Sequence, residues 1–192
     1  MMKNAKPKLF ILSGPGGVGK TTLVKHLFRK KSIKGALLQS ITVTTRDKRP
    51  QEKDGKDYFF VSKDEFLYLK KRKFFLENEK VLDDYYGTPK LYLKIAQSKN
   101  KNLLLCIDVK GGMKLKKRYK SRATSIFISV AKKRELYNRM KKREEAKNII
   151  DKRIKLAKKE LQFSKKYDYL IQNKNINTTA RKIKDIILKH SI

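Results

Sequence analysis

The chain has 192 residues, of which 39% are hydrophobic, enough for one domain with a sizeable core. It carries 51 Lys and Arg residues against 18 Asp and Glu residues, and this formal charge of +33 favours anionic partners. The single cysteine, Cys106, excludes a disulfide framework and a cysteine-based zinc site, and no apolar stretch is long enough to span a bilayer, so we expect a cytoplasmic protein that does not bind membranes.

The first elements are a strand at residues 8–12 and a helix at 22–28, joined by a glycine-rich loop. The loop has the spacing of a P-loop, whose glycines let backbone N–H groups wrap a phosphate. Its residues are Gly14, Pro15, Gly16, Gly17, Val18, Gly19, Lys20, Thr21 and Thr22. Because the strand, the loop and the helix follow in the required order, a simple glycine turn explains the pattern less well. We assign Lys20 to the β- and γ-phosphates and the Thr21 hydroxyl to a Mg²⁺ ion.

The remaining apolar runs and helical patterns alternate along the chain. Strands are predicted at residues 37–43, 58–61, 74–82, 103–107, 125–130 and 169–171. Helices are predicted at 88–97, on either side of position 143, and at 178–189. This alternation predicts an α/β fold with a parallel sheet and helices on both faces. The short strands between 41 and 86 interrupt the alternation as a small inserted β-rich region would, and the arginine-rich segment at 139–153 suggests a helical lid.

Two arginines lie three residues apart in the polar loop after position 41. Arg46 and Arg49 could hold one small dianion with two planar guanidinium groups, and Tyr58 follows with a phenol. Taken alone, the two arginines fit a solvated basic loop better than an anion site.

Together with the P-loop, these residues make the sequence resemble the guanylate kinase family over nearly its whole length. The resemblance rests on SGPGGVGKTT, TTRDKRPQEKDGKDYFFVS, FLENEKVLDDYYGTP, LCIDVKGG, RMKKR and DKR. It implies transfer of the γ-phosphoryl group of ATP to GMP, with the use of dGMP left open. It also implies one domain, with a core at about 1–40, 88–131 and 160–192, a GMP-binding region at 41–87, and a lid at 132–159.

The resemblance also implies a set of site residues. The ATP site would comprise the P-loop residues named above and Asn173. The GMP site would comprise Thr42, Arg46, Arg49, Tyr58, Glu77, Tyr86, Thr88 and Asp108. The residues implied in catalysis are Lys20, Arg139, Arg143 and Arg153.

The implied chemistry suits these side chains. An ionised Glu77 could accept the N1 and N2 protons of guanine, which adenine does not offer in the same place. The GMP phosphate is largely dianionic at neutral pH, so it can attack without a general base, and His26 and His190 are better read as surface residues. Catalysis then consists of alignment and charge neutralisation.

One departure from the family pattern concerns Cys106, where relatives usually have an aspartate two residues before Asp108. This could weaken the ordering of Mg²⁺, or Cys106 could be a small core residue. Two other functions stay open: a guanylate-kinase-like scaffold that binds a partner without turnover, and a P-loop kinase for a ribose phosphate. A nucleic-acid role rests on charge alone, and we expect such binding, if it occurs, to be weak and non-specific.

Overall fold

A computed structural model describes residues 6–130, 133–141 and 146–191 of the protein. Its strands are β1 (Leu9–Ser13), β2 (Leu37–Gln39), β3 (Val43–Thr44), β4 (Phe59–Phe60), β5 (Phe75–Val81), β6 (Asp84–Pro89), β7 (Asn102–Cys106), β8 (Ala123–Ser129) and β9 (Tyr169–Gln172). Its α-helices are α1 (Lys20–Leu27), α2 (Lys31–Ala36), α3 (Lys63–Lys71), α4 (Leu91–Ser98), α5 (Val109–Tyr119), α6 (Lys133–Lys141), α7 (Lys147–Leu161) and α8 (Ile176–His190).

The larger sheet is parallel throughout, in the order β2-β7-β1-β8-β9. Strand β1 lies at its centre, with Leu9 opposite both Leu103 of β7 and Ala123 of β8. All five residues of β1 are buried, because helices cover both faces, and this explains why the strand is a continuous apolar run.

The two faces of this sheet carry separate parts of the core. Phe10 and Leu12 face a cluster that includes buried residues of α1, α2, α6, α7 and α8. Leu9 and Ile11 point the other way and pack with buried residues of α4 and α5. The structure is therefore an α/β sheet with helices on both sides, as the sequence predicts.

A smaller mixed sheet has the order β4-β3-β6-β5. Its four strands follow β2 and precede β7 along the chain. Helix α3 packs on it through Phe66, which is fully buried and stacks on Phe75 and Tyr85 with ring centroids 4.6 and 5.3 Å apart. This aromatic cluster gives the small sheet a core of its own.

Two predicted elements are wrong in extent. The strand predicted at 37–43 is two short strands in different sheets, because the chain leaves the larger sheet after β2. The helix predicted from position 88 begins at Leu91, because Thr88 and Pro89 end β6, a strand that the sequence analysis did not predict.

Helices α2, α3 and α5 were also not predicted. Helix α3 carries a capping signature that could have revealed it, since Ser62 accepts a hydrogen bond from the Glu65 N–H. In α5 the pattern is hidden by lysines and by two buried glycines. Among the described residues, no helix combines the length and apolarity needed to cross a membrane.

Candidate active site

One cleft brings together the P-loop, the carboxyl end of β7, the small sheet and α7. The described residues that line it are Gly14, Gly16, Gly17, Gly19, Lys20, Thr21, Thr42, Arg46, Arg49, Tyr58, Glu77, Val81, Leu82, Tyr86, Cys106, Ile107, Asp108, Arg153, Leu156 and Glu160. Most of the residues that the sequence analysis selected therefore share one cleft. The ends of parallel strands are the usual place for such a site in α/β folds.

The P-loop conformation depends on its glycines. Gly14 has a φ of +143°, and a Cβ atom there would lie 2.1 Å from the carbonyl oxygen of Ile128. Gly19, at φ +96°, is the residue directly before α1, and a Cβ atom there would lie 2.7 Å from the Asn173 side-chain nitrogen. The loop therefore runs close to backbone and side chains and ends at the N-terminus of α1, where free N–H groups favour anions.

The side chain of Lys20 is held in place by carbonyl oxygens of the P-loop. Its Nζ donates hydrogen bonds to the carbonyl oxygens of Gly14 and Pro15, the latter at 3.1 Å. Thr21 also lines the cleft, whereas the Thr22 side chain is on the exposed surface of α1. The ammonium group is thus fixed at the position where a bound phosphate would meet the loop.

Three predicted residues meet at the Val18 carbonyl oxygen. It accepts hydrogen bonds from Asn173 Nδ2 at 2.7 Å and from Arg139 Nη1 at 3.0 Å. Arg139 also contacts the carboxylate of Glu135 at 3.4 Å. Arg139 and Asn173 therefore brace the P-loop and are not among the cleft-lining residues, whereas Arg153 is. Arg143 lies outside the described residues.

Arg46, Arg49, Tyr58 and Tyr86 line one end of the cleft. The Arg46 guanidinium lies 5.4 Å from the ring centroid of Tyr58 and 5.7 Å from that of Phe60. The rings of Tyr58 and Tyr86 approach edge to face at 6.3 Å. Burial raises the pKa of Tyr58, so its phenol keeps its proton and can donate a hydrogen bond. Two cations and two phenols suit a phosphate.

Glu52, which was not predicted as a site residue, contacts both arginines. Its two carboxylate oxygens each accept a hydrogen bond from Arg46 Nη2 at 2.9 Å. The same carboxylate lies 3.5 Å from Arg49 Nη1 and accepts a hydrogen bond from the Arg49 backbone N–H at 3.0 Å. The position of Glu52 three residues after Arg49 was the available signal.

Glu77 lies beside this end of the cleft, 7% exposed, on β5. It is paired across the hairpin with Thr88, whose hydroxyl donates to Glu77 Oε1 at 2.7 Å. Glu77 Oε2 faces Gly111 so closely that a Cβ atom there would lie 2.4 Å from it. Thr42 is buried and lines the cleft, whereas Thr88 is fully buried and reaches the cleft only through Glu77.

Burial raises the pKa of Glu77 to about 8, and the nearby carboxylates of Asp108 and Glu79 add to the effect. A carboxyl group with that pKa is mostly protonated at pH 7. The expectation of an ionised Glu77 is not met without a ligand, because the hairpin removes this side chain from water almost completely. Donors from a bound base would lower the pKa and restore the charge.

Asp108 and Cys106 differ in what they offer the cleft. Asp108 Oδ1 accepts hydrogen bonds from the Lys110 and Gly111 N–H groups at 2.8 and 3.0 Å, so it caps α5. Cys106 lines the cleft and packs against the core, and burial raises the pKa of its thiol, which stays neutral. A neutral thiol is a poor ligand for Mg²⁺.

Helix α7 presents one face to the cleft through Arg153, Leu156 and Glu160, which are three and four residues apart. Burial raises the pKa of Glu160 to about 7, and the nearby Lys20 opposes that rise. Leu156 and Glu160 were not predicted, because only the arginines of this segment match the family pattern.

Comparison with known proteins gives one consistent family. The guanylate kinase family model matches residues 6–190. The chain is 41% identical over 189 residues to the guanylate kinase of Aster yellows witches'-broom phytoplasma (strain AYWB), covering 97% of this chain and 88% of that one. It is 40% identical over 190 residues to the guanylate kinase of Mycoplasma genitalium (strain ATCC 33530 / DSM 19775 / NCTC 10195 / G37), covering 98% and 78%.

A solved structure agrees with these relatives. The crystal structure of guanylate kinase from Anaplasma phagocytophilum superposes with a TM-score of 0.79 at 30% identity, covering all of this chain and 89% of that one. The family model therefore spans both sheets and every described residue of the cleft. This chain belongs to the guanylate kinase family.

Proposed function

We propose that the protein transfers the γ-phosphoryl group of ATP to GMP, giving ADP and GDP. The observation that carries the proposal is that one cleft is lined both by a P-loop and by two arginines and two tyrosines, with the buried carboxyl group of Glu77 beside them. The P-loop suits a nucleoside triphosphate as the donor. The arginines and tyrosines together with Glu77 suit an acceptor that has both a phosphate and a base.

The acceptor site has one end for each part of GMP. Arg46, Arg49, Tyr58 and Tyr86 would hold the phosphate. Glu77 would accept the N1 and N2 protons of guanine, aided by Thr42, Thr88 and Asp108. The Thr88 hydroxyl already bonds to Glu77 Oε1, whereas Oε2 is buried and has no hydrogen-bond partner among the described residues, so Oε2 would be the oxygen that accepts from the base. Adenine would leave this carboxyl group without a matching donor.

The donor site would be the P-loop, residues 14–22, with Asn173 behind it. Lys20 would exchange its bonds to the Gly14 and Pro15 carbonyl oxygens for bonds to the β- and γ-phosphates. Arg153 already lines the cleft, and Arg139 and Arg143 would join it when the lid closes. These cations would neutralise charge as the phosphoryl group moves between two aligned oxygens.

Mg²⁺ is the cofactor that this chemistry calls for. Among the described residues, no group of three or more histidine, cysteine or acidic side chains could hold a metal ion on its own. A Mg²⁺ ion bound mainly by phosphate oxygens, water and the Thr21 hydroxyl is consistent with that. Such an ion would neutralise charge on the β- and γ-phosphates.

The division into a core, a GMP-binding region at 41–87 and a lid at 132–159 belongs to the same proposal, and so does a cytoplasmic location. The separate small sheet with its own aromatic core supports the first boundary. The Lys152–Asp83 ion pair, at 3.4 Å, joins α7 to the β5–β6 turn, and each partner is the sequence neighbour of a cleft-lining residue, Arg153 or Leu82.

The test is ADP release from Mg-ATP with GMP, dGMP, IMP, AMP and ribose 5-phosphate supplied one at a time. We expect rapid release with GMP, and little with AMP or the sugar phosphate. Tight GMP binding without ADP release would favour the scaffold function. Rapid release with ribose 5-phosphate would favour the other kinase function, which the buried Glu77 argues against because a sugar phosphate has no base.

A further inference from the structure

We propose that Glu52 is a positioning residue for the acceptor phosphate, which it aligns by holding Arg46 and Arg49 from behind. The inference rests on the proposed function, because it names how one site of that function is built. Glu52 is not among the residues that the sequence predicts for GMP binding, and it is not one of the described residues that line the cleft.

The contacts of Glu52 are unusually complete for a loop carboxylate. Both of its oxygens accept a bond from the same Arg46 nitrogen at 2.9 Å, and one also accepts a bond from the Arg49 backbone N–H. The exposed fractions of the Arg46 and Glu52 side chains are only 10% and 15%. Charged hydrogen bonds shielded from water in this way fix geometry better than exposed ion pairs do.

Glu52 could either position the two arginines or compete with the acceptor phosphate for them. The side from which its carboxylate approaches the arginines decides between these two roles. Arg46 and Arg49 line the cleft, whereas Glu52 is absent from the described residues that line it. We infer that the carboxylate contacts the guanidinium groups from outside the cleft, so that a phosphate could approach them from within it. A carboxylate that competed with the phosphate would have to lie in the cleft itself.

The rest of the Arg46 environment completes the alignment. Its Nη1 donates to the Asp47 carbonyl oxygen, and the rings of Tyr58 and Phe60 flank its guanidinium group. Without Glu52, this arginine would keep its charge but lose the two hydrogen bonds that help to fix its rotation. Arg49 would lose both a side-chain contact and the bond to its backbone N–H.

Charge and positioning predict opposite signs for Glu52→Gln. The variant removes one negative charge next to a dianion site, so simple electrostatics would predict tighter GMP binding. Loss of alignment predicts weaker binding, since the glutamine amide has one acceptor where Arg46 needs two. We expect the KM for GMP to rise about tenfold while kcat changes less than about threefold.

Guanosine separates positioning from a general structural defect. It presents the same base as GMP but no phosphate, so Glu52→Gln should weaken GMP binding about tenfold and leave the inhibition constant of guanosine nearly unchanged. The KM for ATP should also stay unchanged. Equal weakening of GMP and guanosine would overturn the inference, and so would unchanged or tighter GMP binding.

Asp57→Asn is the matched control, because Asp57 is a carboxylate of the same loop. It accepts a bond from the Lys53 N–H at 2.9 Å and pairs with Lys25 of α1, so it stabilises the loop without touching either cleft arginine. We expect it to lower stability without changing the ratio of GMP to guanosine affinity. The same change of ratio in Asp57→Asn as in Glu52→Gln would reduce Glu52 to a general loop stabiliser.

Glu52→Asp keeps the charge but shortens the reach, and we expect an intermediate ratio of affinities. If Glu52→Gln does not fold, as judged by thermal unfolding, Glu52→Asp tests whether Glu52 positions the two arginines. An unchanged ratio in a folded Glu52→Asp would then count against the inference. Failure of the wild-type protein to release ADP with GMP would overturn the proposed function instead, while the binding ratios would still test Glu52.

Discussion

At the scale of single residues, the buried carboxyl group of Glu77 links stability to pH. Its pKa is about 8 in the folded protein and near the usual 4.5 when unfolded. Between these values the folded protein retains a proton that the unfolded chain has released, so raising the pH favours unfolding. The contribution of Glu77 to the free energy of unfolding is fully present below about pH 4.5 and is lost by about pH 8.

We therefore expect the wild-type protein to lose stability relative to Glu77→Gln as the pH rises from 5 to 8. The slope should approach about 1.4 kcal/mol per pH unit, the value for one proton. Urea unfolding of both proteins at pH 5, 6, 7 and 8 measures it. A constant difference between the two proteins would show that Glu77 is ionised in the fold.

The same substitution should affect the base more than the phosphate. Glu77→Gln should cost GMP on the order of 1–3 kcal/mol in kcat/KM, because the amide offers one acceptor and one mismatched donor, while slow activity on AMP changes little. Arg46→Ala should harm GMP, IMP and AMP alike, since it contacts the group they share. Equal losses for all three nucleotides in Glu77→Gln would show that Glu77 does not read the base.

Lys20→Ala should stop catalysis and spare the fold. Lys20 lines the cleft and contacts only two carbonyl oxygens of the P-loop, so the melting temperature should change little. We expect kcat to fall by about 10²-fold or more, because the charge acts on the transferred phosphoryl group. The decisive measurement is ADP release by a variant whose circular dichroism matches the wild type, and near-normal turnover would contradict the P-loop assignment.

At the scale of elements, we expect substitution by alanine to have opposite effects on stability at two glycines, Gly14 and Gly35. Gly14→Ala would place a Cβ atom 2.1 Å from the Ile128 carbonyl oxygen, at a φ of +143°, and should destabilise the protein by about 3 kcal/mol or more. Gly35 lies in α2, and a Cβ atom added there would have no neighbour within 4 Å among the described residues, so Gly35→Ala should stabilise by about 0.5–1 kcal/mol. Denaturant unfolding of both variants checks the pair, and similar values would contradict the close approach of loop and β8.

The elements also show what the sequence could and could not predict. The P-loop, β1 and the end of β7 were predictable, because buried parallel strands and glycine loops have strong local patterns. Helix α5 was not, because its buried face includes Gly111 and Gly112, where a side chain would collide with Glu77 and with Ser13 or Tyr167. A tertiary contact selects those glycines, and no local pattern reveals it.

The candidate site divides in the same way. Arg46 and Arg49 could be predicted from their spacing and from the family resemblance. The raised pKa of Glu77 could not, since it depends on β5 and β6 enclosing the carboxyl group. Nor could the contact of Arg139 with the Val18 carbonyl oxygen, which joins residues 121 positions apart.

At the scale of the whole molecule, we expect the charge of +33 to be a general surface property without a dedicated nucleic-acid site, so that any binding to nucleic acid is weak, indifferent to sequence and steeply dependent on salt. The basic residues are spread over the whole chain, and the described cleft accounts for only a few of them. Fluorescence anisotropy with single-stranded RNAs of unrelated sequence, at about 50 to 300 mM salt, measures both properties. Sequence-selective binding that survives physiological salt would contradict this prediction.

The place of β1 at the centre of the larger sheet has a consequence for the order of folding. Both of its neighbours come much later in the chain, since Leu9 pairs with Leu103 and with Ala123. During synthesis, the most apolar strand must therefore wait without a partner until more than half of the chain has been made. Closing such long segments is slow, and an unpaired apolar strand is prone to aggregate. The lysines around it, at positions 3, 6 and 8, would keep the nascent segment soluble through that interval.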